Sequence, residues 1–438
     1  MKITTTTVEV PYESAFDIYK RLTQGNKISL LMESRSLNLS YGRKSLIVPD
    51  PALKITHKNN ILNLEPLNKA GEYIKDNLNI TERSPDKILR QLLDLEADNP
   101  FAALYGAIGY DFAKTFYKVG PQENNFILFF PSSVYYLDDI KEKAEKITFY
   151  YDGISSNTYT DGYTHKETEE SDVDLTEEEY KDRVKKTIKD IKNGRCMQCV
   201  LSRKTSLPIK EHPLVSYEKL RKANPSPYSF FYNLGENEIL YGASPERHIT
   251  IENNVLNIRP IAGTIKRDKD PMLDAKARIQ LLTDEKELRE HTMLVDLARH
   301  ELHYLCKDVH ITDLFTLETY PNLYHLVSGV EGRLKDDLDV VDCLKVTLPA
   351  GTLSGAPKKE AMKMIEEYEG SKRDFYGGTI GYLAFNGDCN TGITIRSVHV
   401  KDGMSHVRAG AGIVALSDEG SELQECTLKS EKMVKVIS

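Results

Sequence analysis

Apolar residues in the first third of the chain come in short runs. The runs at 28–32, 45–48 and 126–136 are bounded by Gly, Pro, Asp or Asn, a pattern that predicts β-strands. The stretches between them have helical character. The pattern over residues 1–150 therefore predicts short strands that alternate with helices.

Residues 152–173 are polar and show no apolar periodicity. A segment of this composition connects packed units and has no core of its own. It predicts a linker or exposed excursion, and it divides the chain into a predicted N-terminal domain, residues 1–151, and a second domain, residues 174–438.

A clearly signalled helix follows this segment. Thr176 and Glu179 have the spacing of a capping box, and Leu175 and Tyr180 have that of a hydrophobic staple. Apolar residues then recur at helical spacing as far as Gly194, the residue type that most often follows a helix end.

The rest of the chain mixes strands and helices without the regular alternation that builds parallel sheets. This pattern favours an α+β fold with mixed or antiparallel sheets. The predicted strands are 238–241, 380–385, 392–400 and 406–414, and the predicted helices are 284–306, 357–369 and 422–436.

Composition narrows the class of protein. The 438 residues have a net charge of −8 with scattered basic residues, which argues against nucleic acid or anionic lipid as a partner. No apolar run approaches the roughly 20 residues that span a bilayer, and the N-terminus lacks the hydrophobic segment of a signal peptide. Six cysteines, with Cys196 and Cys199 in an isolated C-x-x-C, favour free thiols in a reducing cytoplasm.

Two pairs of glutamates are the first candidates for chemistry. Glu287 and Glu290 are three residues apart, as are Glu422 and Glu425, so each pair shares a helix face. Either pair alone is typical of a solvated acidic face. Converging carboxylates would repel by about 4 kcal/mol for each pair 4 Å apart at a dielectric near 20, so convergence implies a cation such as Mg²⁺. The sequence leaves both interpretations open.

Two glycine-bearing segments have the character of anion sites. Residues 351–357 lead into a predicted helix whose first amides suit a carboxylate, and Pro357 fits its first turn. Residues 408–412 lie on a predicted strand and allow close backbone approach. Most glycine segments only turn the chain, and neither matches the phosphate-binding loop.

Taken in order, these segments resemble the chorismate-utilising enzymes, and within them the large subunits of anthranilate synthases. The resemblance is dense over residues 194–430 and thinner in the N-terminal third. The matching stretches are LLMES (30–34), SLIVPDPALKIT (45–56), Gln198 in GRCMQCVLSR, NPSPYSFF (224–231), GASPE (242–246), RPIAGT (259–264), KELREHTMLVDLAR (286–299), YHLVSGV (324–330), GTLSGAPK (351–358), YGGTIGY (376–382), ITIRS (393–397), RAGAGIV (408–414) and SELQE (421–425).

The resemblance implies a fold in which large mixed or antiparallel sheets pack as a sandwich with helices outside. It also implies an Mg²⁺ ion bound directly by Glu290 and Glu425 and through water by Glu287 and Glu422. This ion would hold the ring carboxylate of chorismate, and Arg396 would hold the enolpyruvyl carboxylate. The implied substrate-binding residues are Gly263, Thr264, Thr352, Tyr376, Arg396, Gly410 and Gly412.

Three further residues would direct the reaction. Glu246 resembles the general acid that protonates the leaving C4 hydroxyl as ammonia attacks C2, and His325 resembles the histidine of the second step, in which pyruvate leaves. Water-adding relatives have a lysine base in place of Gln198, and relatives that aminate C4 have a lysine in place of Ala262. The neutral amide and the methyl group favour direct amination of C2 by ammonia.

The implied activity is the conversion of chorismate and ammonia to anthranilate and pyruvate. The alternative enzyme is a 2-amino-2-deoxyisochorismate synthase, which stops before pyruvate loss, and the alternative of another class is a non-catalytic tryptophan-sensing homologue. No cysteine stands in the G-x-C-x-G context of a glutaminase nucleophile. Ammonia would then come from a separate glutamine amidotransferase subunit in a hetero-oligomer.

The resemblance implies a second site, for tryptophan as a feedback inhibitor. Two positions depart from the family pattern: Ser229 replaces a methionine and removes an apolar wall, and Arg299-His300-Glu301 replaces Arg-Asn-Asp. The implied tryptophan-binding residues are Glu33, Ser34, Lys44, Pro227 and Tyr228.

Overall fold

A computed structural model of the chain describes residues 1–35, 43–156, 163, 171–320 and 323–438. The strands of these residues are β1 (Lys2–Val10), β2 (Ser29–Glu33), β3 (Lys44–Val48), β4 (Pro51–Lys58), β5 (Ile61–Pro66), β6 (Glu96–Ala97), β7 (Ala103–Ile108), β8 (Asn124–Pro131), β9 (Ser133–Asp138), β10 (Lys143–Tyr151), β11 (Asp172–Val173), β12 (Gln198–Pro208), β13 (Tyr228–Gly235), β14 (Glu238–Ser244), β15 (Arg247–Glu252), β16 (Val255–Ile258), β17 (Ile261–Lys266), β18 (Cys306–Thr319), β19 (Leu323–Leu334), β20 (Gly355–Ala356), β21 (Thr379–Ala384), β22 (Cys389–Ile393), β23 (Ser397–Lys401) and β24 (Met404–Val414). The helices are α1 (Ala15–Thr23), α2 (Lys69–Asn77), α3 (Pro85–Leu93), α4 (Asp111–Tyr117), α5 (Glu177–Lys192), α6 (Pro213–Ala223), α7 (Pro271–Thr283), α8 (Glu285–Leu305), α9 (Val340–Thr347), α10 (Lys358–Tyr368) and α11 (Glu419–Ile437).

The strands form two large sheets. The first sheet has the order β11-β12-β24-β23-β14-β13-β2-β3-β9-β10-β1-β6, with β20 beside β12. The second sheet has the order β17-β19-β16-β15-β22-β21-β7-β8-β4-β5, with β18 beside β19. Neighbouring strands run antiparallel in almost every pair, and β1 with β6 is parallel. The predicted α+β class with mixed or antiparallel sheets is confirmed.

Alternating side chains of the first sheet build two cores. Leu30 and Phe230 belong to the main core, which they share with buried residues of the second sheet such as Phe129. Their neighbours Leu31 and Phe231 turn to the opposite face and pack beneath helices α1 and α6. Because side chains alternate along a strand, one apolar run can serve both faces. The two sheets therefore form a sandwich with helices outside.

Both sheets take strands from either side of residues 152–173. Strands β1–β10 precede that segment and β12–β24 follow it, and each sheet contains members of both groups. The division into domains 1–151 and 174–438 stays a prediction. Most of the predicted linker, residues 157–162 and 164–170, lies outside the described residues.

The predicted helix at Thr176 begins as its sequence indicates. Thr176 Oγ1 accepts from the Glu179 amide at 3.3 Å, and the Glu179 carboxylate accepts from the Thr176 amide at 2.8 Å, which completes the capping box. The helix ends at Lys192, and Gly194 follows it with φ 83°. Pro357 is the N-cap of α10 and does not lie in its first turn.

Two predicted strands are wrong in extent. The run 126–136 is divided at Ser132 into β8 and β9. The run 392–400 is divided into β22 and β23 around residues 394–396, where Arg396 has φ 51°. The structure also contains helix α7 and the long β18–β19 hairpin, which the sequence patterns did not predict.

The six cysteines are buried free thiols, as the isolated C-x-x-C indicates. Within the described part of the chain, no helix combines the length and the apolar character that a membrane crossing requires.

Candidate active site

The two glutamate pairs lie near the starts of helices α8 and α11. Asp284 caps α8 by accepting from the amides of Lys286 and Glu287, and it places Glu287 and Glu290 in the first two turns. Helix α11 carries Glu422 and Glu425 near its own start. Burial raises the pKa of Glu290, and the charge of Glu425 raises it further, which requires that the two helices bring these groups close together. We call Glu287, Glu290, Glu422 and Glu425 the acidic cluster.

The acidic cluster has the donor chemistry of a divalent-cation site. Burial and the neighbouring charges of Glu290, Asp284 and Glu425 raise the pKa of Glu287. Oε2 of Glu422 is buried, and it accepts no hydrogen bond from the residues that the structure describes. Such groups gain by coordinating a cation. The side chains nevertheless do not enclose a metal, because no group of three His, Cys, Asp or Glu residues within the described ranges has the required closeness.

Lys429 supplies the positive charge beside the acidic cluster. Its Nζ lies 2.6 Å from Oε1 of Glu425 and donates to the carbonyl of Gly410 at 3.2 Å. The same ammonium lowers the pKa of Glu246, Glu290 and Glu422 against the dominant effect of their burial. The sequence showed Lys429 one turn beyond Glu425, but nothing in the spacing marked it as a residue of the site.

Glu246 lies between β14 and β15 and lines a small cavity. Its side chain is buried, and Oε1 accepts a hydrogen bond from Oγ1 of Thr352 at 3.0 Å. Burial raises the pKa of Glu246 to about 7, although Thr352, Lys429 and Arg396 all favour the carboxylate. A carboxyl group with this pKa can donate a proton near neutral pH.

His325 lies opposite Thr264 where β19 pairs with β17. Oγ1 of Thr264 is 2.8 Å from Nδ1 of the imidazole. Burial lowers the pKa of His325 to about 4, a hydrogen bond to the backbone of Gly263 opposes this shift, and the charge of Arg396 adds to it. The imidazole is therefore neutral at pH 7 and can accept a proton.

Gly263 connects this strand to the acidic cluster. It has φ 86°, and a Cβ there would lie 3.2 Å from Oε2 of Glu287. A side chain at this position would both strain the backbone and crowd the carboxylate. Glycine therefore leaves open the space between the strand and Glu287.

Arg396 stands at the break between β22 and β23. Its left-handed backbone is unusual for a residue with a side chain, and such strain is concentrated at functional sites. Nη1 donates to the carbonyl of Lys429 at 2.7 Å. Burial lowers the pKa of Arg396, while Tyr376, Glu425 and Glu246 oppose the shift, so the guanidinium lies among three predicted site residues. Tyr376 packs in a small buried cluster with Leu353 and Ile393.

Gln198 begins β12 and is buried against β24. A Cβ at Gly412 would lie 2.9 Å from Nε2 of Gln198, so glycine at this position gives the amide its space. Gly410 lies on the same strand and accepts from Lys429. Ala262 is buried on β17, on the strand that carries Thr264. The structure thus collects every predicted substrate-binding and catalytic residue into one region.

The departure at Glu301 has a structural explanation. Glu301 on α8 pairs with Nζ of Lys358 at 2.6 Å, and this nitrogen also donates to the carbonyls of Val346 and Thr347. The pair joins the helix of Glu287 and Glu290 to the start of α10. A cavity of about 40 Å³ separates Glu301 from Glu246. His300 lies on the exposed side of the helix and bonds to the carbonyl of Asp296.

The predicted tryptophan-binding residues are neighbours in the first sheet. Ser229, next to Tyr228, pairs with Glu33 across β13 and β2, and the amide of Ser34 donates to the carbonyl of Lys44 at 3.3 Å. The Tyr228 hydroxyl donates to Asn390 of the second sheet at 2.8 Å. Pro227 is buried beside Tyr228. Their backbones therefore border the space between the sheets.

The side chain of Glu33 turns away from that space. It accepts from Arg221 at 2.9 and 2.5 Å and from the Tyr217 hydroxyl at 2.7 Å, and both partners belong to α6 on the outer face. Because paired residues share a face of a sheet, Ser229 also points toward α6. The missing methionine at position 229 is therefore on the α6 face, opposite to the side chain of Tyr228.

The chain matches the profile of the chorismate binding enzymes over residues 30–435. It is 32% identical to anthranilate synthase component 1 of Methanothermobacter marburgensis over 444 residues, which cover 98% of this chain and 93% of that protein. It is 45% identical to anthranilate synthase component 1 of Neisseria meningitidis serogroup B over 260 residues, or 59% of this chain. The matched region covers 53% of the length of that relative, and about half of the length of the similar component 1 proteins of other bacteria.

Solved structures share the architecture. Anthranilate synthase component I of Streptococcus pneumoniae superposes with a TM-score of 0.75 at 29% identity, covering 89% of this chain and 92% of that one. The menaquinone-specific isochorismate synthase of Escherichia coli superposes with the same TM-score at 18% identity, covering 100% of this chain and 95% of that one, a likeness of fold alone. The ordered motifs, the two-sheet sandwich and these matches agree: the chain belongs to the chorismate binding enzyme family.

Proposed function

We propose that this chain is the chorismate-converting large subunit of a cytoplasmic anthranilate synthase, with ammonia supplied by a separate glutamine amidotransferase subunit. The observation that carries the proposal is the position of Glu246. A buried carboxyl group whose pKa is about 7 stands beside Arg396 and Lys429, in the same region as the four carboxylates of the acidic cluster, of which Glu425 pairs with Lys429.

Different residues would bind different parts of the substrate. The acidic cluster would hold Mg²⁺, which when bound neutralises the ring carboxylate and stabilises developing negative charge. Arg396 presents the fork of its guanidinium to the enolpyruvyl carboxylate, with Tyr376 beside it. Gln198 offers a neutral amide near C2, so no base removes a proton from a water molecule there. These contacts support ammonia as the nucleophile.

Proton transfers then follow from the two pKa shifts. Glu246 donates its proton to the C4 hydroxyl, which leaves as water while ammonia bonds to C2 and the ring double bonds shift. In the second step, neutral His325 takes the proton from C2 as the C3–O bond breaks. The leaving group is enolpyruvate, which becomes pyruvate when its methylene carbon takes up one proton, balancing the one removed from C2, and the ring becomes aromatic. Because burial lowers its pKa to about 4, His325 is in the neutral form at pH 7 and has a lone pair available for the proton from C2.

The test is turnover by the purified chain. We expect anthranilate fluorescence to appear when the chain is incubated with chorismate, Mg²⁺ and ammonium chloride at raised pH, where more ammonia is free. Accumulation of aminodeoxyisochorismate without pyruvate would identify the alternative synthase, and absence of turnover would support the tryptophan-sensing homologue. The same assay with added tryptophan tests feedback inhibition at the second site.

A histidine substitution separates the two steps. We expect His325→Ala to slow pyruvate release at least about tenfold more than amination, because only the second step uses the imidazole. Chromatography of the products with a coupled pyruvate assay measures both. His300→Ala, an exposed histidine on α8, is the matched control and should leave both steps intact. Equal loss of both steps in His325→Ala would contradict the assignment.

A further inference from the structure

Arg373 is one of the most buried cations of the described chain. It follows α10, and its side chain is 2% exposed. Nε and Nη2 donate to Glu369 at 2.9 and 2.5 Å, Nη1 donates to the carbonyl of Leu353 at 2.5 Å, and Nη2 also donates to the carbonyl of Val200 at 2.7 Å. One planar group thus serves acceptors on three different segments.

The two carbonyls that it binds lie next to residues of the candidate active site. Leu353 follows Thr352, which donates to Glu246. Val200 lies two residues after Gln198 on β12, and its amide bonds to the carbonyl of Ser354. Arg373 therefore closes the contact between the strand of Gln198 and the loop of Thr352 from the buried side.

The face of the guanidinium contacts a third segment. Its central carbon lies 5.6 Å from the ring centre of Tyr376 and 4.8 Å from that of Tyr110. The amide of Tyr376 also donates to the carbonyl of Arg373 at 2.9 Å. Cation–π contacts of this kind orient a ring as well as stabilise it. The ring of Tyr376 is thus held by the same side chain that holds Leu353 and Val200.

An ion pair with Glu369 alone would not require the contacts of Arg373 with the two carbonyls and the ring of Tyr376. Glu369 is also held by the amide and hydroxyl of Ser202, both at 2.7 Å, and by Nη1 of Arg408 at 3.4 Å, so Arg373 is not the sole partner of this carboxylate. A lysine at position 373 has a single nitrogen and no planar face, so it cannot reach both carbonyls and contact the ring of Tyr376. The three segments therefore require the shape of arginine in addition to the bidentate pair with Glu369.

We infer that Arg373 is a positioning residue, whose guanidinium fixes the relative positions of Gln198, Thr352 and Tyr376 for the proposed reaction. It does not touch the substrate. Its effect on catalysis is indirect. The bond to Leu353 positions the Thr352 loop and so Glu246, the bond to Val200 positions β12 and so Gln198, and the guanidinium orients the ring of Tyr376. The inference rests on the proposed function for its substrate, and on the contacts of Arg373 with Leu353, Val200 and Tyr376 for its mechanism.

A double-mutant cycle tests this role. Arg373→Lys, Thr352→Val and the double variant are assayed for kcat and KM with ammonia, and circular dichroism gives the melting temperature of each. We expect Arg373→Lys to lower kcat about tenfold or more in the native background but less than about threefold in Thr352→Val, because both changes disturb the same contact. The control is Arg90→Lys, which alters an ion pair between α3 and α9 and should leave kcat unchanged.

The outcomes separate positioning from stability. Equal fold losses of kcat in both backgrounds, or a loss no larger than in Arg90→Lys, would overturn the inference. Should Arg373→Lys fail to fold, Glu369→Gln in the same cycle loosens the guanidinium while it keeps the carbonyl contacts. If the native chain converts no chorismate, the proposed function fails, and the cycle is read instead from the dissociation constant of chorismate by calorimetry, where additive effects would overturn the inference independently.

Discussion

The carboxylate of Glu33 is buried, whereas in the acidic cluster Glu287, Glu290 and Glu422 are half-buried and Glu425 is exposed, and the surroundings of the two regions also differ. Glu33 accepts two hydrogen bonds from Arg221 and one from Tyr217, all within 2.9 Å. Among the described residues, Lys429 alone forms an ion pair with the acidic cluster, through Glu425. Burial raises the pKa of Glu290, Glu287 and Glu422, and Oε2 of Glu422 has no hydrogen-bond donor within these ranges.

The difference indicates what each carboxylate is for. A buried charge is stable only when a partner neutralises it, and the fold supplies Arg221 to Glu33 from its own sequence. In the acidic cluster the fold brings like charges together, and we propose that Mg²⁺ completes the compensation that Lys429 begins. The same change from glutamate to glutamine should therefore have opposite consequences in the two regions.

The largest effect is expected in the acidic cluster. Glu290→Gln should reduce kcat/KM for chorismate by about a thousandfold, or roughly 4 kcal/mol, because it removes a direct ligand of the proposed Mg²⁺. Removal of metal by EDTA from the native chain should cause a loss at least as large, reversed by added Mg²⁺. Glu285→Gln is the control, since Glu285 lies on the same helix but is exposed and pairs with Arg289. Full activity in Glu290→Gln would exclude the metal role.

The second effect should appear in stability and not in turnover. Glu33→Gln leaves the charge of Arg221 buried without its counterion, which should lower the free energy of unfolding by about 3 kcal/mol. Urea denaturation followed by circular dichroism measures this change. Turnover without tryptophan should stay near the native value. A variant that keeps its stability but loses turnover would place Glu33 among the catalytic residues and break the comparison.

Local features of the chain were predictable from the sequence. The capping box of α5 and the three-residue spacing of each glutamate pair depend only on neighbours along the chain. Helix α7 escaped prediction because its apolar residues are not confined to one face: Met272, Leu273 and Ile279 are exposed and Leu281 is buried. Apolar residues that are spread around a helix give no helical periodicity in the sequence.

The contacts that distinguish the two regions are not local. Nothing in the sequence near Glu33 indicates that its side chain meets α6, because that depends on the register of β2 and β13. The apolar run 392–400 resembles a single strand, yet Arg396 interrupts it in a left-handed conformation and bonds to Lys429 of a distant helix. The family resemblance supplied these residues as candidates, and only the fold shows what each one contacts.

A third prediction concerns Glu246, whose surroundings are intermediate between those of Glu33 and those of the acidic cluster. Glu246 has a neutral donor, Thr352, and a pKa of about 7. Because the acid must be protonated to act, kcat at constant free ammonia should be highest at low pH and fall as pH rises through about 7. Glu246→Gln should lower kcat about a hundredfold and remove this limb of the profile. An unchanged limb in Glu246→Gln would assign the titration to another group.

The smallest effect is a gain in stability within the acidic cluster. The folded pKa of Glu290 is raised, so its ionised form destabilises the metal-free protein at neutral pH; this cost shrinks as pH falls through the raised pKa and is gone below the ordinary pKa of the unfolded chain. In EDTA at pH 7, Glu290→Gln should therefore stabilise the chain by about 0.5 kcal/mol after allowance for solvent screening, and added salt should shrink the gain. Thermal melts of both proteins between about pH 4, near the ordinary pKa of a glutamate, and about pH 7 measure this gain. A gain that grew as pH fell would show that Glu290 is not repelled by its neighbours, and the contrast with Glu33 would then rest on geometry alone.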